Sequence, residues 1–474
     1  MQEQPSNQTG APERRRRKPR SKWDIFKEAY LPLVIGALAV LMIVVFITGS
    51  LRRSAAKSKA EREASEQSSL AAESIAQEER DEVKQRLADA AVLAEGYDYD
   101  GALAVLDDFT GDASKYPELT AKRAEYAQAQ TEVTAWSDLG AVPNLSFQLL
   151  IADPDRAFAN ADYGDAYQRN FVTVSEFGKI LDQLYANGYV LVNVEDFVST
   201  VQKEDGTTGF EPKTLYLPNG KKPLILTETN VNYYTYMVDG DGDGKADGDG
   251  AGFASKLAVD GAGNLTNELV NADGSTVTGA YDLVPVLEQF LAEHPDFSTR
   301  GAKATVAVSG YDGLFGYRTN ASAKESLGDT AYQAEVQGAA DVAEALRAAG
   351  YQIACYTYGN ISYDEADLSS VQGDLKQWQD EVTPILGETG KLVYAMNSDI
   401  ATTDETYSGD KYNALRAAGF RYFFGSGTAW ASITADYVRQ NRILVTGSGL
   451  TENPSQYSAL FDAAAVVDPA RSTQ

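Results

Sequence analysis

The pattern of apolar and polar positions changes character three times along the chain. The first apolar run, Leu31 to Leu51, contains no charged residue. At ~1.5 Å rise per residue a helix of that length crosses the ~30 Å hydrocarbon core of a bilayer. From residue 54 to about 95 the chain is rich in Ala, Glu, Gln, Lys and Arg, with no Pro or Gly before Gly96, a composition that predicts helix. Leu70, Ile75, Val83 and Leu87 keep no heptad, so a solvated stalk of roughly 60 Å is expected rather than a coiled coil. A helical hairpin comes next. Ala88–Glu95 stops at Gly96, Asp100–Asp107 is short, and Pro117 opens a third helix running to about Ala135. One such tetratricopeptide-like unit cannot bury a solenoid core, so a spacer packed on the large domain is expected.

From Trp136 onward, strand and helix signals alternate. Predicted strands are Asn144–Ile151, Tyr189–Val194, Lys222–Thr227, Ala302–Ser309, Tyr351–Tyr356, Lys391–Tyr394 and Arg421–Phe424. Between them lie helical patterns: one opened by the capping box Thr173-Val-Ser-Glu176 and closed by Gly188, then Leu283–Glu293, Glu335–Ala349, Leu375–Leu386 and Asp410–Ala418. Repeated strand–helix units imply a parallel sheet with crossover helices, and this many suit an α/β barrel with its chemistry after the strands' C-terminal ends. The expected organisation is a basic tail at 1–30, a transmembrane signal anchor at 31–51, a helical stalk at 52–87, a helical hairpin at 88–135 and the large domain at 136–474.

Charge sharpens this picture. Residues 1–60 hold twelve Lys/Arg against four Asp/Glu, while the remainder holds 29 against 64. The cluster from Arg14 to Lys27 is denser than Arg52, Arg53, Lys57 and Lys59 beyond the apolar run. The positive-inside rule therefore puts the N-terminus in the cytoplasm and the large domain outside the cell membrane. A cleaved signal peptide is the rival reading, but Arg52-Arg53 stands where a small-residue cleavage site would be needed. Beside a span, the basic run serves as a topology signal touching anionic lipid rather than as a nucleic-acid patch. The overall charge of −27 argues against nucleic-acid partners. A single cysteine, Cys355, excludes disulfide frameworks and multi-thiolate metal sites. A single histidine, His294, excludes sites with two imidazoles from one chain. Cys355 reads as a small buried residue, and His294, at a helix end, as a surface residue with no catalytic role.

Four segments carry a resemblance to a known family. They are EFGKILDQLYANGYVLVNVEDF, KPLILTETNVNYY, RAAGYQIACYTYGN and LVYAMNSD, supported by EHPDFSTRGAKATVAVSGYDGLFGYRT and YSGDKYNALRAAGFRYF. In order and spacing the chain from about Pro143 to Leu450 resembles the polysaccharide deacetylase superfamily (carbohydrate esterase family 4, NodB-homology domains), in a membrane-anchored bacterial branch. The resemblance implies a distorted parallel (β/α) barrel and a metal-dependent hydrolase of carbohydrate N-acetyl groups. One Asp and two His would hold a divalent metal, a second Asp would act as base and another His as acid. The catalytic letters are replaced. The aspartate pair falls on Thr229 and Asn230, the histidine pair on Tyr356 and Asn360, a first-strand histidine on Gln148, and a proline on Ala395. None of these supplies an anionic or imidazole ligand at neutral pH, so no zinc is expected at the family metal site.

Three further constellations could carry chemistry. Glu228 and Asp399 stand at strand ends and could form a glycosidase-like carboxylate pair, but with 68 acidic residues two near one cleft are expected by chance. Asp239, Asp241, Asp243 and Asp247, in a Gly/Asp-rich insertion at 239–250, follow a calcium-loop spacing. Gly250 stands where a bidentate acid is expected, and the bland alternative is a flexible acidic insertion. Tyr233, Tyr234, Tyr236, Tyr356 and Tyr358 could line a sugar-stacking cleft, or simply be half-buried rim residues. The favoured function is a non-catalytic, extracytoplasmic deacetylase-like domain binding cell-wall or other polysaccharide. The alternatives are an active peptidoglycan- or chitin-type N-deacetylase and an assembly role with the barrel as scaffold.

Overall fold

The computed structural model describes residues 22–204, 206–242 and 247–471. The basic cluster Arg14–Arg20 and Asp243 lie outside these residues. The chain divides into two units, 1–84 and 85–474. In the first unit a short helix, Lys22–Ile25, and a π-turn, Phe26–Tyr30, precede the helix Leu31–Glu95, whose last turns belong to the second unit. By length and composition its N-terminal part is long and apolar enough to cross a membrane.

The second unit opens with two short helices, Tyr99–Asp107 and Pro117–Ala129. The third helix of the expected hairpin ends at Ala129 rather than Ala135. Val133–Trp136 is instead a strand paired antiparallel to Leu215–Pro218, because Thr131 and Glu132 turn the chain and a β-branched run comes after them. The helical segment is tied to the barrel domain at two points. The Arg300 backbone N–H donates to the Gly96 carbonyl at 2.8 Å, and the Tyr97 hydroxyl donates to the Asp296 carbonyl at 2.8 Å.

Eight parallel strands build the barrel: β1 Asn144–Phe147, β2 Tyr189–Leu191, β3 Lys222–Thr229, β4 Ala304–Val308, β5 Gln352–Cys355, β6 Lys391–Val393, β7 Tyr422–Ser426 and β8 Val438–Leu444. Seven of them close a ring in the order β3-β4-β5-β6-β7-β8-β1, with β1 returning to β3, and β2 flanks the start of β3. The strands are buried on both faces, which is why β3 to β5 read as near-continuous apolar runs. Strand alternation sorts the residues. Leu224, Leu226, Val306, Val308, Ile353 and Leu392 point outward and pack with helix residues such as Ile180, Leu287, Val342 and Leu346. Ile225, Ala307, Ala354, Val393, Phe424 and Val438 point inward. Gly350, at φ +99°, ends the helix before β5, where an added Cβ would collide with the Gly301 carbonyl oxygen.

β8 was not foreseen from the sequence. Its run Val-Arg-Gln-Asn-Arg carries no apolar alternation, yet all five residues are buried. Val438 packs in the interior apolar layer, and the four polar residues after it are held mainly by hydrogen bonds. Asn144 donates to Gln440 Oε1 at 3.1 Å, Thr227 donates to Asn144 Oδ1 at 2.8 Å, and Gln440 donates to the Val142 carbonyl at 3.2 Å. The barrel interior thus turns from apolar to polar toward the strands' C-terminal ends.

Candidate functional site

Alternation along β3 sets the site. Ile225, Thr227 and Thr229 face the barrel axis, so Thr229, the last strand residue, reaches the mouth while Glu228 points the other way. The chain leaves β3 through Asn230 in the left-handed region (φ 60°). Similar turns lie after β5 at Thr357 and Asn360 and after β6 at Met396 and Asn397. For Thr357, β-branched, that conformation is strained, and such strain tends to concentrate at functional loops. Together these turns bring side chains from separate strands around one cavity of about 230 Å³.

Thr229, Asn230, Tyr356, Asn360 and Gln148 all line this cavity. Ala395 does not; it is fully buried below the mouth, and its neighbours Met396 and Asn397 reach the rim instead. The Thr229 hydroxyl donates to the Phe147 carbonyl at 3.2 Å, and Asn230 Oδ1 accepts from the Tyr234 hydroxyl at 2.9 Å. Burial raises the Tyr356 phenol, partly countered by the nearby Arg442, so it stays neutral at physiological pH. Arg442, from β8, also lines the cavity, and among the described residues no Asp, Glu, His or Cys does. The divalent metal implied by the family resemblance does not fit this donor set of hydroxyls, amides and a guanidinium. No group here is placed to act as a base near neutral pH.

Of the tyrosines, Tyr234 belongs to the mouth. Its hydroxyl lies 2.8 Å from Ser309 Oγ, and its ring stacks on Tyr236 (centroids 5.9 Å apart, planes at 12°) and Tyr311 (5.2 Å, 24°). Tyr236 and Tyr311 are 47% and 41% exposed, and Tyr163, 47% exposed, lies 5.7 Å from Tyr236. Tyr163 and Tyr311 were missed by sequence reasoning because their loops gave no sign of converging on the mouth. Two expected members fall away. Tyr233 takes φ 50° and turns into the core, where its hydroxyl accepts from Asn267 at 3.1 Å. Tyr358 packs so closely on Gly310 that an added Cβ there would strike its ring, and its hydroxyl donates to Glu381 at 2.7 Å.

Glu228 and Asp399 form no catalytic pair. Asp399 pairs with Arg439 at 2.9 Å and accepts from the Tyr407 hydroxyl at 2.7 Å. Glu228 is fully buried on the outer face of β3 beside Asp282. Cys355 is buried, its thiol pushed well up by burial, so it offers no thiolate. His294 is half-buried rather than simply a surface residue: its ring lies 4.4 Å from that of Tyr185 and 4.6 Å from that of Phe290, because the helix end folds back on these rings.

In the acidic loop, carboxylate oxygens of Asp239, Asp241 and Asp249 lie within 4.8 Å of one another. Asp247 is not in that group, and Asp249 takes the place expected for it; the Asp241 N–H donates to Asp249 Oδ2 at 2.6 Å, which folds the loop this way.

No family model matches the chain, and no curated protein matches it. Among solved structures it is similar to the Streptococcus pyogenes deacetylase PplD in complex with acetate. The identity is 13%, the match covers 69% of this chain and 98% of that one, and the TM-score is 0.35. A likeness of that size carries no argument about chemistry. The barrel assignment rests on strand order and register in this chain.

Proposed function

We propose that this chain is a membrane-anchored, polysaccharide deacetylase-like protein whose barrel lies outside the cytoplasm and binds glycan without hydrolysing it. The observation that carries the reading is the Tyr234 hydroxyl. It bonds to Asn230, in the polar cavity, while the Tyr234 ring stacks on the partly exposed rings of Tyr236 and Tyr311. Exposed aromatic faces beside a cluster of neutral donors and acceptors suit the apolar faces and hydroxyls of sugar rings. The loss of every metal-ligating letter nominated by the resemblance supports binding over catalysis. The anchor reading is supported by the uncharged run Leu31–Leu51, which opens a long helix after a basic segment, under the positive-inside rule.

The test uses the full chain in detergent micelles. Chito-oligosaccharides and peptidoglycan fragments are expected to bind, and Tyr236→Ala with Tyr311→Ala should weaken them by about tenfold or more, roughly 1.4 kcal/mol. No chelator-sensitive release of acetate is expected. Robust metal-dependent deacetylation by the unaltered protein would establish the enzyme instead, and undiminished binding by the double variant would remove the platform from the account.

A further inference from the structure

The cavity at the barrel mouth carries a charge that its neighbours do not balance. Arg442 is 1% exposed. Its Nη1 donates to Ser146 Oγ at 2.9 Å, its Nε to the Gly425 carbonyl at 3.1 Å and its Nη2 to the Tyr394 carbonyl at 3.3 Å. All three acceptors are neutral. Other buried arginines of the barrel are treated differently: Arg439 is paired with Asp399 at 2.9 Å, and Arg471 with Glu176 at 2.5 Å. Among the described residues no carboxylate forms an ion pair with Arg442, in a chain with 68 acidic residues. A buried charge without a counter-charge is costly, and burial brings this guanidinium down only to about 10, so it remains charged at neutral pH.

A guanidinium has five N–H bonds in a rigid fork, and three are engaged by the acceptors above. Its site, shared with Thr229, Asn230, Tyr356 and Asn360, has about 230 Å³ of space. That is smaller than the ~300–1,000 Å³ typical of pockets that enclose a whole ligand. It suits one substituent of a larger molecule whose ring rests on the tyrosines outside. Where the resemblance implies a bound cation, this chain supplies a cation of its own.

Resting on the glycan reading above, we propose that Arg442 anchors the oxyanion of an acidic sugar, a carboxylate or a phosphate ester, in the barrel mouth. Charge-assisted bonds from a planar fork to a planar or tetrahedral oxyanion are the strong, directional kind, and the ligand would supply the counter-charge that the fold omits.

The experiment measures binding and melting of the full chain in detergent with glucuronic acid, glucose 6-phosphate, glucose, inorganic phosphate and a neutral chito-oligosaccharide. One or both acidic sugars should bind at least tenfold more tightly than glucose and raise Tm accordingly. The uronic acid and phosphate arms tell which oxyanion is preferred. Ser146→Asp should give Arg442 an internal partner and abolish the preference while the protein stays folded; Arg442→Gln should do the same. Equal binding of acidic and neutral sugars, or an acid preference that survives Ser146→Asp, overturns the proposal. So does phosphate binding as tightly as the sugar phosphate, which would mark an anion site with no sugar specificity. Binding of the neutral oligosaccharide with no gain from acid leaves the glycan reading standing and removes this one. Acidic sugars bound through Arg442, with undiminished affinity in the Tyr236→Ala, Tyr311→Ala variant and no binding of the neutral oligosaccharide, would remove the platform and keep the anchor.

Discussion

Replacing Glu228 by Gln should change how stability depends on pH. Glu228 is fully buried on the outer face of β3, against Asp282 at the start of helix Leu283–Glu293, with Tyr233 and Tyr351 also facing it. Taken as carboxylates, the Glu228 oxygens and Asp282 Oδ2 lack a well-formed hydrogen bond, although the Tyr233 hydroxyl lies against Asp282. Two facing acids can satisfy one another only by sharing a proton, and burial, then the Asp282 charge, hold the Glu228 carboxyl well above its ordinary range. Asp282 Oδ1 meanwhile accepts from the Leu150 and Leu283 N–H groups at 2.7 and 2.9 Å. In the unfolded chain Glu228 ionises near ~4.3, whereas in the folded chain it keeps its proton to higher pH. The folded state therefore binds the extra proton. Its stabilising contribution is complete below the unfolded value and is lost as pH rises toward the folded one, at about 1.4 kcal/mol per pH unit for one proton. Gln has nearly the same shape, can donate an N–H to Asp282, and has no proton to lose. In urea unfolding of the full chain in detergent between about pH 5 and 8, the wild type should lose ground to Glu228→Gln at about that slope wherever Glu228 stays protonated. The fluorescence of the buried Trp378 provides a signal. Parallel pH profiles, or a variant that loses stability faster as pH rises, would refute the shared-proton account.

Three other outcomes are expected. Asp399→Asn should cost about 3–5 kcal/mol of unfolding free energy, because it strands the buried Arg439 guanidinium; a loss below ~1 kcal/mol in the same urea assay would mean that Arg439 finds water or another acceptor. Calcium at about millimolar concentration should raise Tm through the loop bearing Asp239, Asp241 and Asp249, and Asp241→Ala should abolish the rise. Equal melting in calcium and in chelator would leave the loop an acidic insertion. Protease added to intact cells should remove the barrel and leave a small membrane-bound stub, whereas protection of the whole chain would reverse the orientation.

How much was legible before the structure depended on what keeps each segment buried. KPLILT and AKATVAVS announce β3 and β4 because a strand covered on both faces needs apolar residues throughout. Helices closed by Gly188 and Gly350 were equally plain. β8 was opaque for the opposite reason: Gln440 and Arg442 are buried through hydrogen bonds to partners some 300 residues away, which no local pattern displays. Within the site, the resemblance nominated Thr229, Asn230, Tyr356, Asn360, Gln148 and Ala395; the first five line one cavity, and Ala395 is buried away from it. The direction of a tyrosine in a turn could not be read. Tyr233 and Tyr234 are adjacent, yet one faces the core and the other the mouth, because of a single left-handed backbone angle. Arg442 was one base among 41, and only its surroundings distinguish it.

The seam between β8 and β1 has a consequence for assembly. Only Ile443 and Leu444 pair with Leu145 and Ser146 along the backbone; side-chain links from Asn144 to Gln440 and from Ser146 to Arg442 carry much of the rest. Those links join residues 296 positions apart in the chain. Contacts of such long sequence separation are slow to form, since the loop entropy must be overcome before they contribute. The cavity therefore comes into being with the last barrel strand. A chain cut short before Val438 would retain seven of the eight barrel strands and still lack Arg442 and the closing wall, so competence to bind should report completion of the ring rather than the presence of most of its parts.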